Sequence, residues 1–418
     1  MPSASYGSVP FREQISFFRQ KLNVPTQAWT DIYGAEHDFA FMVAGANRNA
    51  IVADFREAVE DAIAGGGTLE QFRKDFDRIV ERHGWDYNGG RQWRSRIIYD
   101  TNLYSSYNAG RYQQLWDARD AIPYWQYNHS DAVTNPRELH LSWNGLVLPA
   151  DDPWWRTHFP INAYGCQCSV TGVTDLDLED MGKSGPDQAP PINWVTREIG
   201  QRSPDGPRTV RVPEGLDPGF DHIPGRSRLE GAVPPERPDP PISGSMGGPG
   251  LPNRRAPDAM PPARTAPASR LLQEGLSEER YAEAFLEEFG ATLDRPRLFR
   301  DVLGETLAIG RGLFEQRRTG ALKADKNGRG RFMKVLADAI QSPDEVWVRI
   351  EWQAARKVAV VRRRYLARYL LPGMTVPALA VFEWSESGWA GITAFQLESG
   401  DINDMRLGIR LYRREDEE

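Results

Sequence analysis

The sequence predicts a multidomain α+β chain. A mainly helical N-terminal domain with a loop-rich module of small strands spans residues 1–175. A disordered Pro/Gly-rich linker spans 176–270, and a small α+β domain with an antiparallel four-stranded sheet spans 271–418. Three observations predict this order. Apolar residues recur at helical spacing over roughly the first 120 residues. Pro and Gly crowd the middle of the chain. Strand-like runs follow two amphipathic helices near the C-terminal end. At 418 residues the chain is also too long for one ordinary core.

In the first region Ile15, Phe18 and Leu22 space as one helical face, with Pro25 as its stop. Ile51, Phe55, Val59 and Ile63 follow an i, i+4 pattern that Gly65–Gly67 ends. Thr68 and Gln71 have the spacing of a capping box, opening a helix whose buried stripe is Phe72, Phe76 and Ile79. A long helix follows from near Trp93 to near Trp116. From Ile122 to Val173 the texture changes: YWQYN reads as a strand, RELHLSWNGLVLP as short elements, and DDPWW and FPINAYGCQC as irregular, aromatic loops.

The segments SGPDQAPP, PDGPRTVRVP, VPPERPDPP and GSMGGPGLP mark the linker, because such compositions bury too little apolar surface to fold. A short ordered piece near Trp194 stays open. Beyond it, Ser277 is placed to cap a helix over SEERYAEAFLEEF, and RGRFMKVLADAI is a second amphipathic helix. EVWVRIEW, KVAVVRRRYLARYLL, ALAVFEW and WAGITAF then read as strands, with SESG as a hairpin turn.

Composition excludes several classes. The net charge of -7 argues against a globally basic nucleic-acid binder, although a local patch is compatible with it. Two cysteines make no disulfide framework, and a reducing compartment is the default. The first residues lack a basic stretch followed by an apolar core, and no long apolar run exists. The expectation is a soluble intracellular or assembly protein without a membrane partner.

Polar residues gather between 94 and 170: Arg94, Thr101, Asn108, Asp131, Arg137, His140, Asp152 and His158, then Cys166 and Cys168. A buried polar network that pins the loops is the favoured reading, with Arg137 paired to Asp131 or Asp152. Zinc is the runner-up, held by both cysteines and two of His129, His140 and His158. One residue between the cysteines departs from the usual zinc clip of about two to four, and the expected cofactor is none.

The runs RSRIIYDTNLYSSYNAGRYQQL and HSDAVTNPRELHLSWNGLVLPADDPWWRTHFPINAYGCQCSV resemble the phage Mu F-like head morphogenesis family. That family places an Arg and a Thr on a long helix, then an Asp, Arg, His and Gly series, an Asp-Asp-Pro turn and a closing Cys-x-Cys signature. Here Arg94, Thr101, Asp131, Arg137, His140, Asp152, Cys166 and Cys168 carry it. Gly165 and Gln167 stand where the family has Asn and Arg. The resemblance covers roughly residues 10–175. It implies a minor head protein of a tailed phage or prophage, with portal and capsid proteins as partners. It also implies residence in the virion head and, during assembly, the host cytoplasm.

The C-terminal region concentrates basic residues. In KVAVVRRRYL a strand would set Arg362 and Arg364 on one face and Arg363 and Tyr365 on the other. Lys323, Lys326, Arg329 and Arg331 form a basic loop before a helix. LGETLAIGRGLFEQRRTGALK, GRGRFMKVLADAIQSPDEVWV, RRRYL and ALAVFEWSESGWAGITAF, in that order, resemble a phage-associated nuclease family of the barnase, EndoU, colicin and RelE-like group. The resemblance covers about 300–413 and implies a metal-independent ribonuclease fold.

RNA cleavage without metal needs a base, an acid and cations around the phosphorane. All six histidines lie at or before His222, so Lys, Tyr or a carboxylate must serve. The expected roles are phosphate stabilisation by Arg362 and Arg364 (or Arg363), acid or base by Tyr365 or Lys357, an alternative base in Glu383 or Glu351, and a hydrogen bond from Thr393. Lys323, Lys326, Arg329 and Arg363 would bind RNA. The sequence leaves two other readings open. One is a head protein whose C-terminal domain binds nucleic acid or a capsid partner without catalysis. The other is a toxin carried on a phage-like particle and paired with an immunity protein.

Overall fold

The computed structural model describes residues 11–133, 135–229, 258–316, 319–325, 328–353, 358–373, 377–385, 388–396 and 402–415. The chain divides into two compact units, one built on residues 51–243 with the N-terminal 1–46, the other on 256–418.

The first unit opens with α1 (Arg12–Arg19), β1 (Leu22–Asn23) and β2 (Ala40–Phe41), the two strands pairing in parallel. The expected first helix is therefore shorter than its apolar spacing suggested. It stops at Arg19, and Leu22 donates its N–H to Phe39 O instead. Next come α2 (Asn49–Gly65), α3 (Leu69–His83) and α4 (Arg91–Asp117). Ile51, Phe55 and Val59 are buried as expected, and with Phe72, Phe76 and Ile79 they form one core. Thr68 caps α3 reciprocally: Gln71 N donates to Thr68 Oγ1 at 3.3 Å, and Thr68 N donates to Gln71 Oε1 at 2.7 Å.

A second core lies where the loops begin. It is formed by β3 (Tyr124–Asn128), α5 (Glu138–Ser142), β4 (Val147–Pro149), α6 (Trp155–His158) and β5 (Ser169–Val173). The strand order is β4–β3–β5, antiparallel throughout. Aromatic residues replace regular structure as the source of rigidity: Trp125, Trp143, Trp154, Trp155 and Phe159 pack in one cluster with both cysteines.

The first half of the expected linker is folded. Residues 175–229 contain α7 (Asp175–Asp180), a hairpin of β6 (Trp194–Ile199) and β7 (Arg208–Pro213), and α8 (Arg226–Leu229). Its Pro and Gly residues concealed an alternating strand: in β7 Arg208, Val210 and Val212 are buried while Thr209 and Arg211 are exposed. Residues 230–257 lie outside the described residues.

The second unit contains β8 (Arg264–Thr265), α9 (Glu278–Glu287), the hairpin β9 (Arg297–Arg300) and β10 (Thr306–Ile309), and α10 (Met333–Gln341). Ser277 caps α9 as expected, accepting from Arg280 N at 3.3 Å. β11 (Glu345–Gln353), β12 (Val358–Leu370), β13 (Ala378–Ser385) and β14 (Gly388–Gln396) form the expected meander. The sheet is six-stranded rather than four-stranded. β15 (Ile409–Arg413) adds antiparallel to β11, and β8 adds parallel to the end of β12. A two-residue strand and a short terminal strand carry too little periodicity to be read from sequence. The helices pack on one face of this sheet, where Phe285 of α9 meets Phe382 at 5.8 Å between ring centroids.

Candidate functional site

The strand period separates the arginines of β12 as expected. Arg363 and Tyr365 lie on the helix-bearing face, and both are buried. Tyr365 donates its hydroxyl to Asp301 Oδ2 at 2.6 Å, and Arg363 lies 3.7 Å from the same carboxylate and 3.5 Å from Glu305. Burial, with the Asp301 carboxylate beside it, pushes the Tyr365 phenol far above its ordinary value. This corrects two expected roles. Tyr365 at 0% exposure cannot reach a bulk RNA substrate, and Arg363 at 3% cannot lie along its backbone. Both are tied into the core because a guanidinium inside a sheet must be neutralised.

Arg362 and Arg364 take the other face. Arg364 sits directly opposite Glu383 in the β12–β13 register and donates Nε to Glu383 Oε1. Arg362 lies 3.1 Å from Glu383 and 3.0 Å from Glu351, which also takes Arg349. Three arginines against two glutamates leave one net positive charge on this half-buried patch. Burial disfavours the charged form of Arg349. Arg349 was missed in the sequence. The only available signal was its period-2 spacing from Glu351, which becomes meaningful once β11 is registered on β12.

The other expected RNA contacts divide. Lys323 is exposed, whereas Arg329 is half-buried and clamps its own loop by donating to Ala324 O at 2.7 Å and Lys323 O at 3.0 Å. The backbone of Thr393 pairs with Val381, at some distance in register from Glu383. Lys326 and Lys357 fall outside the described residues.

In the first unit the motif residues form several sites instead of one network. Arg94 donates to Ala44 O and lies 5.5 Å over the Trp85 ring. The Thr101 hydroxyl is enclosed with no hydrogen-bond partner among the described residues. Asp131 is exposed, and Asp152 accepts from Trp154 N at 2.8 Å to shape its own turn. The expected pairing of Arg137 with Asp131 or Asp152 is corrected. Arg137 pairs with Asp217 at 2.9 Å, a residue of the presumed linker. Asn108 is fully buried on α4 and donates to Cys168 O at 3.2 Å.

Cys166, Cys168 and His140 do come together: one ligand atom from each lies within 4.8 Å of the others, and all three residues are buried. His129 joins from the end of β3, its Nδ1 3.6 Å from Cys168 Sγ. His158 instead turns away to stack on Trp154 at 4.3 Å and hydrogen-bond Thr157. Cys168 beside it, with His140 alongside, holds the Cys166 thiol well below the ordinary thiol range, while Cys166 and burial together raise Cys168.

Comparison with known proteins follows the division into units. Residues 53–171 match the family model described as Phage Mu protein F like protein. Residues 284–413 match the one described as phage-Barnase-EndoU-ColicinE5/D-RelE like nuclease2. The chain is 32% identical over 189 residues to protein F of Escherichia phage Mu, named for capsid assembly, covering 42% of this chain and 43% of that protein. It is 33% identical over 168 residues to the Mu-like prophage FluMu F protein of Haemophilus influenzae, covering 38% and 40%. The chain thus spans less than half the length of these curated relatives. No solved structure matches. Among the described residues no helix is long and apolar enough to cross a membrane.

Proposed function

We propose that this chain is a minor head protein of a tailed phage or prophage. It acts in procapsid assembly beside portal and capsid proteins and carries a C-terminal metal-independent ribonuclease effector. One observation supports this most directly: an F-like segment and a phage nuclease-like segment occupy successive units of one chain.

The chemistry assigned to the second unit uses the face of the sheet that carries Arg362 and Glu383, both half-buried, and the buried Arg364. Arg362 and Arg364 stabilise the charge that builds on phosphorus, exchanging part of their pairing with Glu383 and Glu351 for phosphate oxygens. Glu383, released from one arginine, accepts the 2′-hydroxyl proton as that oxygen bonds phosphorus, and solvent water protonates the 5′-oxygen whose bond to phosphorus breaks. Asp301, Arg363 and Tyr365 hold the sheet and the helix-side loop in register and touch no substrate.

A second reading also has a specific observation in its favour. Each arginine of the face is already paired, and residues 271–418 contain no histidine. A domain that binds nucleic acid or a capsid partner without cleaving would look the same. The full chain incubated with total RNA, with and without EDTA, decides between them. Cleavage that persists in EDTA and is lost in Arg362→Ala/Arg364→Ala and in the milder Glu383→Gln supports the effector. Folded protein that retains RNA on a filter and leaves it intact supports the binding module.

A further inference from the structure

We propose that Cys166, Cys168, His140 and His129 form a structural zinc site that locks the loop-rich module of the first unit. This inference is independent of the ribonuclease assignment.

The two sulfur–nitrogen separations from Cys168 have tetrahedral length, and Cys166 lies within 4.8 Å of both Cys168 and His140. With metal–sulfur and metal–nitrogen bonds of about 2.3 and 2.05 Å, a tetrahedral edge between sulfur and nitrogen is roughly 3.6 Å. Cys168 Sγ lies 3.6 Å from His129 Nδ1 and 3.8 Å from His140 Nδ1. Cys166 and Cys168, one residue apart, turn their sulfurs to the same point as His140.

The surroundings orient the ligands. His140 Nε2 lies 3.0 Å from the carbonyl of Gly215, which can only accept, so the ring proton sits on Nε2 and the Nδ1 lone pair faces the sulfurs. Gly215 stands at φ +91, and a Cβ there would meet Leu139 and Trp143 at 2.9 Å, so the chain approaches His140 this closely only as glycine. Asn108 fixes the Cys168 carbonyl from α4.

A four-ligand, enclosed set leaves no open position for a substrate, which makes the site structural. Binding forms two zinc–sulfur and two zinc–nitrogen bonds, and each sulfur that still carries a proton gives it up to solvent; no oxidant or reductant takes part. The ion would tie α5 to the point where the end of β3 pairs with the start of β5, Asn128 opposite Ser169.

The test is metal analysis of the full chain purified without chelator, with cobalt(II) as a spectroscopic probe. About one zinc per chain is expected, together with thiolate-to-cobalt charge transfer and the visible bands of tetrahedral cobalt. Cys168→Ser and His140→Gln should each weaken metal binding at least ~10-fold, whereas His158→Gln, buried nearby but turned away, should not. Should those two variants fail to fold, His129→Ala at the half-buried edge carries the test, with weaker binding in a folded protein expected. Folded wild-type protein with no bound zinc and no cobalt spectrum would overturn the proposal, as would a Cys166–Cys168 disulfide.

Discussion

Arg137 reaches across 80 residues of chain to Asp217, with Nη2 and Oδ2 at 2.9 Å. The same carboxylate oxygen accepts from Tyr164 N at 3.0 Å, and the Asp217 backbone donates to Asn162 O at 2.9 Å. One aspartate therefore anchors the loop that carries Cys166. Both members of the ion pair are about one-third exposed, so the pair itself contributes on the order of 1 kcal/mol or less. Asp217→Ala loses the Tyr164 contact as well and should cost about 1–3 kcal/mol, more than Arg137→Ala. Denaturant unfolding of both variants and the double variant measures the difference. Equal costs would mean that the Tyr164 N contact contributes no more than the bond Arg137 Nη1 donates to Tyr164 O at 3.3 Å.

Tyr365→Phe tests whether that residue is structural. Removing the hydroxyl leaves the buried Asp301 carboxylate short of its closest donor, although Arg363 remains near it. A loss of about 1–3 kcal/mol is expected, read as a lower melting temperature. Lost RNA cleavage with unchanged melting would instead return Tyr365 to a catalytic role.

Gly110 should behave against its helix propensity. In an exposed helix interior, alanine is worth roughly 1 kcal/mol over glycine. Here a Cβ on α4 would meet Gln14 N of α1 at 2.7 Å and the Phe11 ring at 2.8 Å. Gly110→Ala should therefore destabilise, because two backbones would have to separate. Calorimetry that finds a higher melting temperature would show α1 free to shift.

His158 gives the first unit an acid-side dependence. Burial against Trp154 and Trp143 lowers its pKa from 6.5 to about 4. Between these values the unfolded chain binds a proton that the folded chain refuses. The contribution is thus fully present above pH 6.5 and lost as pH falls toward 4, at about 1.4 kcal/mol per pH unit. The stability difference between wild type and His158→Gln should change by roughly 3 kcal/mol between about pH 7.5 and about pH 4, tracked by urea midpoints. A pH-independent difference would place the ring in contact with solvent.

The local rules read well wherever a segment of chain satisfies itself. Thr68 with Gln71, Ser277 with Arg280, and the apolar stripe from Ile51 to Val59 are each complete within one or two turns. The alternation of Arg362 and Arg364 against Arg363 and Tyr365 needed only the strand period. The errors came where a partner lay far away in sequence. Nothing near Tyr365 announces Asp301, 64 residues earlier. The prolines around β6 and β7 masked a hairpin whose valines are buried beside Ile199, Trp29 and Tyr33.

The sequence by itself determined the capped helices, the four-strand meander and the two faces of β12, because periodicity and capping act over a few residues. The tertiary structure decided which arginines are buried, where Arg137 finds its carboxylate, and which histidines face the sulfurs. His129 and His140 do, and His158 does not. These outcomes depend on neutralising and desolvating groups that meet only when distant segments pack, and spacing along one chain does not encode that meeting.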